Sequence, residues 1–164
     1  RDLHLSIRRQ RQMCIRDRSA IKRFSIASVL TFAGSVPFVF AAIVMYWDLE
    51  RLPLIGDVQK VIDVYGLVIV VFIAGSFWGI SVNLAGKKRN ALMVISNGLT
   101  LLAFFSYFWL KIIPFQLVLI FLLVALLVVD YWLYFLEVNT KEYVALRLVV
   151  SIIVVGSLSI VFSS

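Results

Sequence analysis

VYGLVIVVFIAGSFWGISVN, from Val64 to Asn83, is the stretch that decides the fold of this chain. It carries no charged side chain, and neither do the next two residues, which end at Ala85. A helix of roughly 20 apolar residues is long enough to cross the hydrocarbon core of a bilayer, which is about 30 Å thick. Because backbone groups inside lipid must be hydrogen-bonded within the protein, the stretch predicts a transmembrane helix.

The same stretch carries small residues at helical spacing, Gly75, Gly79 and Asn83. Gly75 and Gly79 form a GxxxG motif, which lets the backbone of a second helix approach closely. Two interpretations are open: the glycines form a packing seam, or they leave room for a solute or cofactor. We favour the seam, because glycine is common in membrane helices in general.

Composition extends the membrane interpretation to the whole chain. The 164 residues are 62% hydrophobic, and their mean hydropathy is +1.01. Soluble domains contain a much smaller apolar share. We therefore predict an all-α fold, an integral membrane bundle of five transmembrane helices within a single domain, residues 19–164. The predicted spans are residues 24–47, 64–85, 91–110, 112–136 and 143–162.

Residues 1–18, RDLHLSIRRQRQMCIRDR, form a basic leader that resembles translated sequencing-adaptor sequence. We expect this leader to be non-native; a signal n-region and an Arg-rich transit peptide are the alternatives. His4 and Cys14, the only His and Cys of the chain, both lie in it. From Ser19 onward, Cys/His metal sites, disulfides, thiol nucleophiles and His-dependent triads are therefore excluded. We predict no catalytic residue, no metal site and no cofactor.

Lys and Arg in the short loops indicate the orientation of the helices. Seven of these residues fall on the side of the N-terminus and three on the other side. The first set is Lys22, Arg23, Lys87, Lys88, Arg89, Lys141 and Arg147, and the second is Arg51, Lys60 and Lys111. This predicts a cytoplasmic N-terminus and an external C-terminus. The location of the basic residues matters more than the net charge of +7, and we expect the chain to contact the lipid bilayer and not nucleic acid.

Asp130 and Arg147 are the only ionisable residues clearly inside the predicted spans. A charge at the centre of a membrane helix costs about 2.5–3.5 kcal/mol on insertion scales, so each residue is expected to have a partner. The two residues fall at similar depth on consecutive antiparallel helices, which predicts a salt bridge. The pair is either a structural clip, which we favour, or a proton or cation site. A lone amide, Asn97, is expected to bond to a neighbouring helix.

The body of the chain resembles the domain of unknown function 3429 family, which includes mitochondrial relatives called transmembrane protein 69. The resemblance covers roughly Ser28 to Phe162. It rests on GSVPF in the first span, Tyr65 with AGSFWG in the second, Asp130 in the fourth, and Tyr143 with Leu146-Arg147-Leu148 in the fifth. Phe77 stands where the family commonly has His, so an activity that needs a titrating His is not expected here. The resemblance implies a bacterial inner membrane or, as the less favoured alternative, a mitochondrial inner membrane.

Three classes of function follow from these observations. The favoured class is a structural or assembly component that packs against a membrane-protein partner or a second copy. The alternative is a small-solute or ion pathway formed in an oligomer, and an intramembrane enzyme is the least favoured class. The candidate helix-packing residues are Gly34, Pro37, Gly75, Trp78, Gly79 and Asn83; the pathway would be lined by Pro37, Gly75, Asn83, Asn97, Asp130 and Arg147.

Overall fold

A computed structural model describes residues 26–49, 51–53, 56–110 and 112–163. It contains five helices, each long and apolar enough to cross a membrane: α1 (Ile26–Tyr46), α2 (Val58–Ser81), α3 (Gly86–Trp109), α4 (Phe115–Phe135) and α5 (Lys141–Ser163). A short antiparallel hairpin, β1 (Arg51–Leu52) and β2 (Gly56–Asp57), lies between α1 and α2. The predicted all-α fold with five membrane-spanning helices is confirmed. The predicted non-native leader, residues 1–18, lies outside the described residues.

The chain divides into two compact units, Arg1–Gly34 and Ser35–Ser164. In the first unit the described residues, 26–34, are helical. The second unit holds the rest of α1 and all of α2 to α5. Within it α2 packs mainly on α3 and also contacts α4, while α4 packs mainly on α5. The largest completely buried apolar side chains of this core are Phe38, Phe77, Leu92, Leu119, Leu122, Leu126, Leu133 and Leu158.

Helix α2 begins at Val58, six residues before the predicted start of its span. Asp57 caps it, because its carboxylate accepts a hydrogen bond from the Lys60 backbone N–H at 3.1 Å. The predicted span, 64–85, left Asp63 outside the helix, and this boundary was wrong. Asp63 is the sixth residue of the helix and lies inside the packed unit.

Helix α2 also ends four residues earlier than predicted, at Ser81. The connection to α3 consists of only Val82 to Ala85, and Gly86 takes a positive φ of 60° at the start of α3. The basic GKKRN segment, which was predicted as a loop, therefore forms the first turn of a helix. Asn83 lies in the connection and not in α2.

Two contacts fix α2 against its neighbours. Gly66 faces α4 so closely that a Cβ built on it would lie 2.5 Å from Leu119 Cδ1. Ser96 of α3 donates a buried hydrogen bond from its hydroxyl to the Ala74 carbonyl of α2, at 2.5 Å. The predicted interhelical bond of Asn97 is not found: Asn97 is exposed, and its neighbour Ser96 makes the contact.

Candidate functional site

Polar side chains meet at both ends of α4, the helix that contacts α2, α3 and α5. Gln116 is the second residue of α4, and Asp130 lies five residues before its end. They are 14 positions apart, which corresponds to about 21 Å along the helix axis at about 1.5 Å per residue. The two polar groups therefore lie in opposite halves of the unit and are described separately.

The structure brings together the two charged residues that the sequence singled out. Arg147 of α5 donates from Nε to Asp130 Oδ2 at 3.0 Å. The Asp130 side chain is completely buried and that of Arg147 is 10% exposed. Two charges shielded from water attract each other more strongly than on a surface, but burial also removes their hydration, so each charge depends on the other to offset its desolvation.

Asn139, in the connection between α4 and α5, completes this group and was missed in the sequence. Its amide Nδ2 donates to Asp130 Oδ1 and to the Asp130 backbone carbonyl, both at 3.3 Å. The connection is tight: Glu137 has φ 58°, and the Val138 N–H donates to the Leu133 carbonyl at 3.0 Å. The sequence signal for Asn139 was its position in the short connection that follows the span with Asp130.

Two further features complete the surroundings of the Asp130 carboxylate. The Tyr143 hydroxyl, from the first turn of α5, interacts with it. Arg147 Nη2 is buried and has no hydrogen-bond partner among the described residues. The carboxylate is therefore surrounded by donors from α5 and from the turn, and it joins these elements to α4.

A second polar pair, Asp63 and Gln116, joins α2 to α4 at the other end of the unit. Gln116 Nε2 donates to Asp63 Oδ1 at 2.7 Å. Gln116 is 2% exposed, and its Oε1 is buried without a hydrogen-bond partner among the described residues. These two residues could not be paired from the sequence, because 53 positions separate them and Asp63 lies outside every predicted span.

The small residues of the predicted seam do not pack against another helix within residues 35–164. A Cβ built on Gly75 or Gly79 would meet no atom within 4 Å, and both glycines are exposed. Trp78 is 43% exposed and Asn83 is exposed as well. The glycine that permits a close helix contact inside the unit is Gly66. The GxxxG motif instead lies on an open surface of α2.

The other two packing candidates lie on α1. Gly34 is half-buried, and a Cβ built on it would meet no atom within 4 Å. Pro37 is also half-buried and lies inside the continuous helix Ile26–Tyr46.

The described residues contain no group of three or more His, Cys, Asp or Glu side chains that could hold a metal ion. The candidate polar sites of the described residues are therefore the two side-chain pairs that involve α4. The Asp130 pair is a carboxylate with its own counter-ion, whereas Asp63 is hydrogen-bonded to a neutral amide.

Comparison with known proteins places the chain in one family. The family model described as "Protein of unknown function (DUF3429)" matches residues 24–163, which include all five helices. No curated protein and no solved structure matches the chain. The chain therefore belongs to the DUF3429 family.

Proposed function

We propose that this protein is a structural or assembly component of the bacterial inner membrane that binds another transmembrane helix along an open face of α2. The observation that carries the proposal is the empty space over Gly75 and Gly79. We define the docking face as Phe72, Gly75 and Gly79, which lie on one side of the helix at a spacing of three and four residues. In the proposed orientation the N-terminus is cytoplasmic and the C-terminus external.

The physical basis is the close approach of helix backbones. In lipid there is no hydrophobic effect between helices, so association depends on van der Waals packing and is strongest where small residues let backbones meet. Gly75 and Gly79 offer such a surface, and Phe72, which is 75% exposed, supplies a large side chain beside it. A partner helix would bury all three residues, either from another protein or from a second copy.

The buried polar groups support a structural role. Asp130 is held by donors from Arg147 and Asn139, so it is not free to exchange a ligand during a reaction. A charged network that ties two helices and their connection together stabilises one arrangement of the chain. A unit held in one arrangement, with the GxxxG face of α2 uncovered by the described residues, could bind to a larger membrane complex.

The test is co-purification from native membranes in a mild detergent. We expect the double variant Gly75→Leu and Gly79→Leu to lose its bound proteins, or its second copy, because two leucines prevent the close approach. Gly156→Leu is the matched control, since Gly156 of α5 is equally exposed and its Cβ also meets no atom within 4 Å. Far-ultraviolet circular dichroism establishes that both variants keep their helices.

Retention of every co-purified protein by the double Leu variant would contradict the proposal.

The second candidate function is a small-solute or ion pathway formed in an oligomer. It is favoured by one observation, the carboxylate of Asp63 inside α2 without a basic partner among the described residues. Ion or solute flux in proteoliposomes that is lost in the double variant, with unchanged partners, would favour this second function.

A further inference from the structure

We propose that Lys87, Lys88 and Arg89, in the first turn of α3, bind the headgroup of an anionic phospholipid. We call these three residues the basic turn. The inference concerns the surface where α2 is connected to α3, and it does not rest on the proposed docking face of α2 or on the proposed function. It depends only on the membrane-spanning helices of the fold.

The first argument is the distribution of charge along α2 and α3, which pack mainly on each other. Residues 64–109 contain three charged side chains, all of them positive, and these are the three residues of the basic turn. All three are exposed. The connection before them, residues 82–85, carries no charge. The positive charge of this pair of helices is therefore concentrated at the end where they are joined.

The second argument is the balance of charge around the basic turn. Among the residues that the structure describes, the salt bridges join Lys60 to Asp57 and Arg147 to Asp130. No residue of the basic turn takes part in either of them. The whole chain carries a net charge of +7, so its acidic residues cannot neutralise all of its basic ones. The basic turn thus leaves positive charge to be balanced by an anion from outside the chain.

The third argument is the electrostatics of the helix end. The N-terminus of a helix carries a partial positive charge, so acidic residues are favourable in its first turn, and a Ser, Thr, Asp or Asn side chain commonly caps it. Helix α3 has no acidic residue in its first turn, and Ala85 at the cap position makes no side-chain hydrogen bond. The three cations add to the partial charge of the helix end, because they lie within its first turn. An anion at this position is attracted by both.

The fourth argument is depth, which selects a lipid. Residues 90–109 complete α3 without a charged side chain, and at about 1.5 Å per residue they span about 30 Å, the thickness of the hydrocarbon core. The basic turn therefore lies directly outside the hydrocarbon, at the level of the lipid phosphates. Val94 and Leu101 follow Lys87 on the same face of α3 at intervals of seven residues, and they are 71% and 53% exposed. The acyl chain of a bound lipid would contact this uncovered apolar face, whereas a soluble anion would not.

The experiment measures lipid binding to the full chain by native mass spectrometry. The detergent-solubilised protein is titrated with phosphatidylglycerol or with phosphatidylcholine of the same acyl chains, which differ in that only the first has a net negative charge. We expect the parent to bind phosphatidylglycerol more tightly. The triple variant Lys87→Gln, Lys88→Gln and Arg89→Gln should lose about fivefold in that affinity for each cation removed, about 100-fold in all, with unchanged affinity for phosphatidylcholine. Micelles have no inside and outside, so the assay separates lipid binding from any effect of these cations on orientation.

Two control variants test the role of charge and of position. The variant Lys87→Arg, Lys88→Arg and Arg89→Lys preserves the charge and should keep the affinity of the parent. Arg51→Gln with Lys60→Gln removes two exposed cations near the other end of α2 and should also keep it. Far-ultraviolet circular dichroism establishes that each variant keeps its helices.

Three outcomes would overturn the proposal. Equal affinity of the parent for the two lipids would do so without any variant. A preference for phosphatidylglycerol that persists in the triple Gln variant would assign the lipid to another surface. Glycerol phosphate, which lacks acyl chains, should bind far more weakly than the lipid; equal binding would assign the basic turn to a soluble anion.

Discussion

The ion pair between Asp130 and Arg147 gives the most direct test of how this fold is held together. We consider Asp130→Asn, Arg147→Leu and the double variant. Asp130→Asn leaves the guanidinium of Arg147 in its buried position without a counter-ion. Arg147→Leu leaves a completely buried carboxylate that still accepts a hydrogen bond from Asn139. The double variant leaves no buried charge.

The size of each effect follows from burial. Removing one partner of a buried ion pair costs about 3–5 kcal/mol, since the remaining charge is uncompensated. With side chains that are 0% and 10% exposed, both single variants should fall in this range. The double variant loses only interhelical hydrogen bonds, which contribute about 0.6–1.7 kcal/mol in membrane proteins. The double variant should therefore be more stable than either single variant, with a coupling energy above about 3 kcal/mol.

The assay is equilibrium unfolding in mixed micelles, followed by circular dichroism, from which the free energy of unfolding of all four proteins is obtained. The exposed pair Asp57 and Lys60 supplies a matched control. Its atoms are 3.7 Å apart and its side chains are 35% and 81% exposed. The same cycle with Asp57→Asn and Lys60→Met should give a coupling energy below about 1 kcal/mol, because water screens the pair.

The reasoning would be refuted by a coupling energy at the Asp130 pair that is no larger than at the Asp57 pair. It would also fail if Asp130→Asn unfolded with the stability of the parent, because Asp130 would then not be held by Arg147. Either result would remove the main support for a structural role of this pair.

Three further predictions concern single contacts, and each is checked by the same unfolding measurement. Gly66→Ala should destabilise the protein by about 1–3 kcal/mol, because the new Cβ would lie 2.5 Å from Leu119 Cδ1. Gly75→Ala should not destabilise it, and equal effects of the two substitutions would contradict the packing of Gly66 against α4. Ser96→Ala should cost about 0.6–1.7 kcal/mol through loss of its bond from α3 to α2, and an unchanged stability would argue against that bond. Asn139→Ala should cost about 1–2 kcal/mol and speed amide hydrogen exchange in the connection between α4 and α5; unaltered exchange there would contradict its role.

The number and type of the helices could be predicted because both depend on local properties. A stretch of about 20 apolar residues must become a helix in lipid, whatever its neighbours are. The contact between Asp130 and Arg147 was also predictable, because consecutive antiparallel helices joined by a short turn bring residues at equal depth together. The ends of α2 were predicted less well. Because Asp57 caps α2, the helix begins at Val58, six residues before the apolar stretch that starts at Val64.

The faces of the helices were not predictable from the sequence. A soluble helix shows its buried side as a stripe of apolar residues. From Val64 onward α2 has no charged residue on any side, so nothing in its pattern separates Gly66 from Gly75. Packing against Leu119 buries Gly66, and the GxxxG motif of Gly75 and Gly79 is left open. The GxxxG motif therefore lies on a surface that the packing of residues 35–164 leaves uncovered, and its role as a seam stays a prediction.

The sequence by itself determined that this protein is a membrane protein with five helices, since hydropathy over one helix length is enough to select that structure. The tertiary structure alone decided which polar residues meet across distant parts of the chain. Asp63 and Gln116 are 53 positions apart, and they are paired only because α2 packs against α4. Contacts of this kind depend on helix rotation and depth together, and no local pattern of residues specifies either of them.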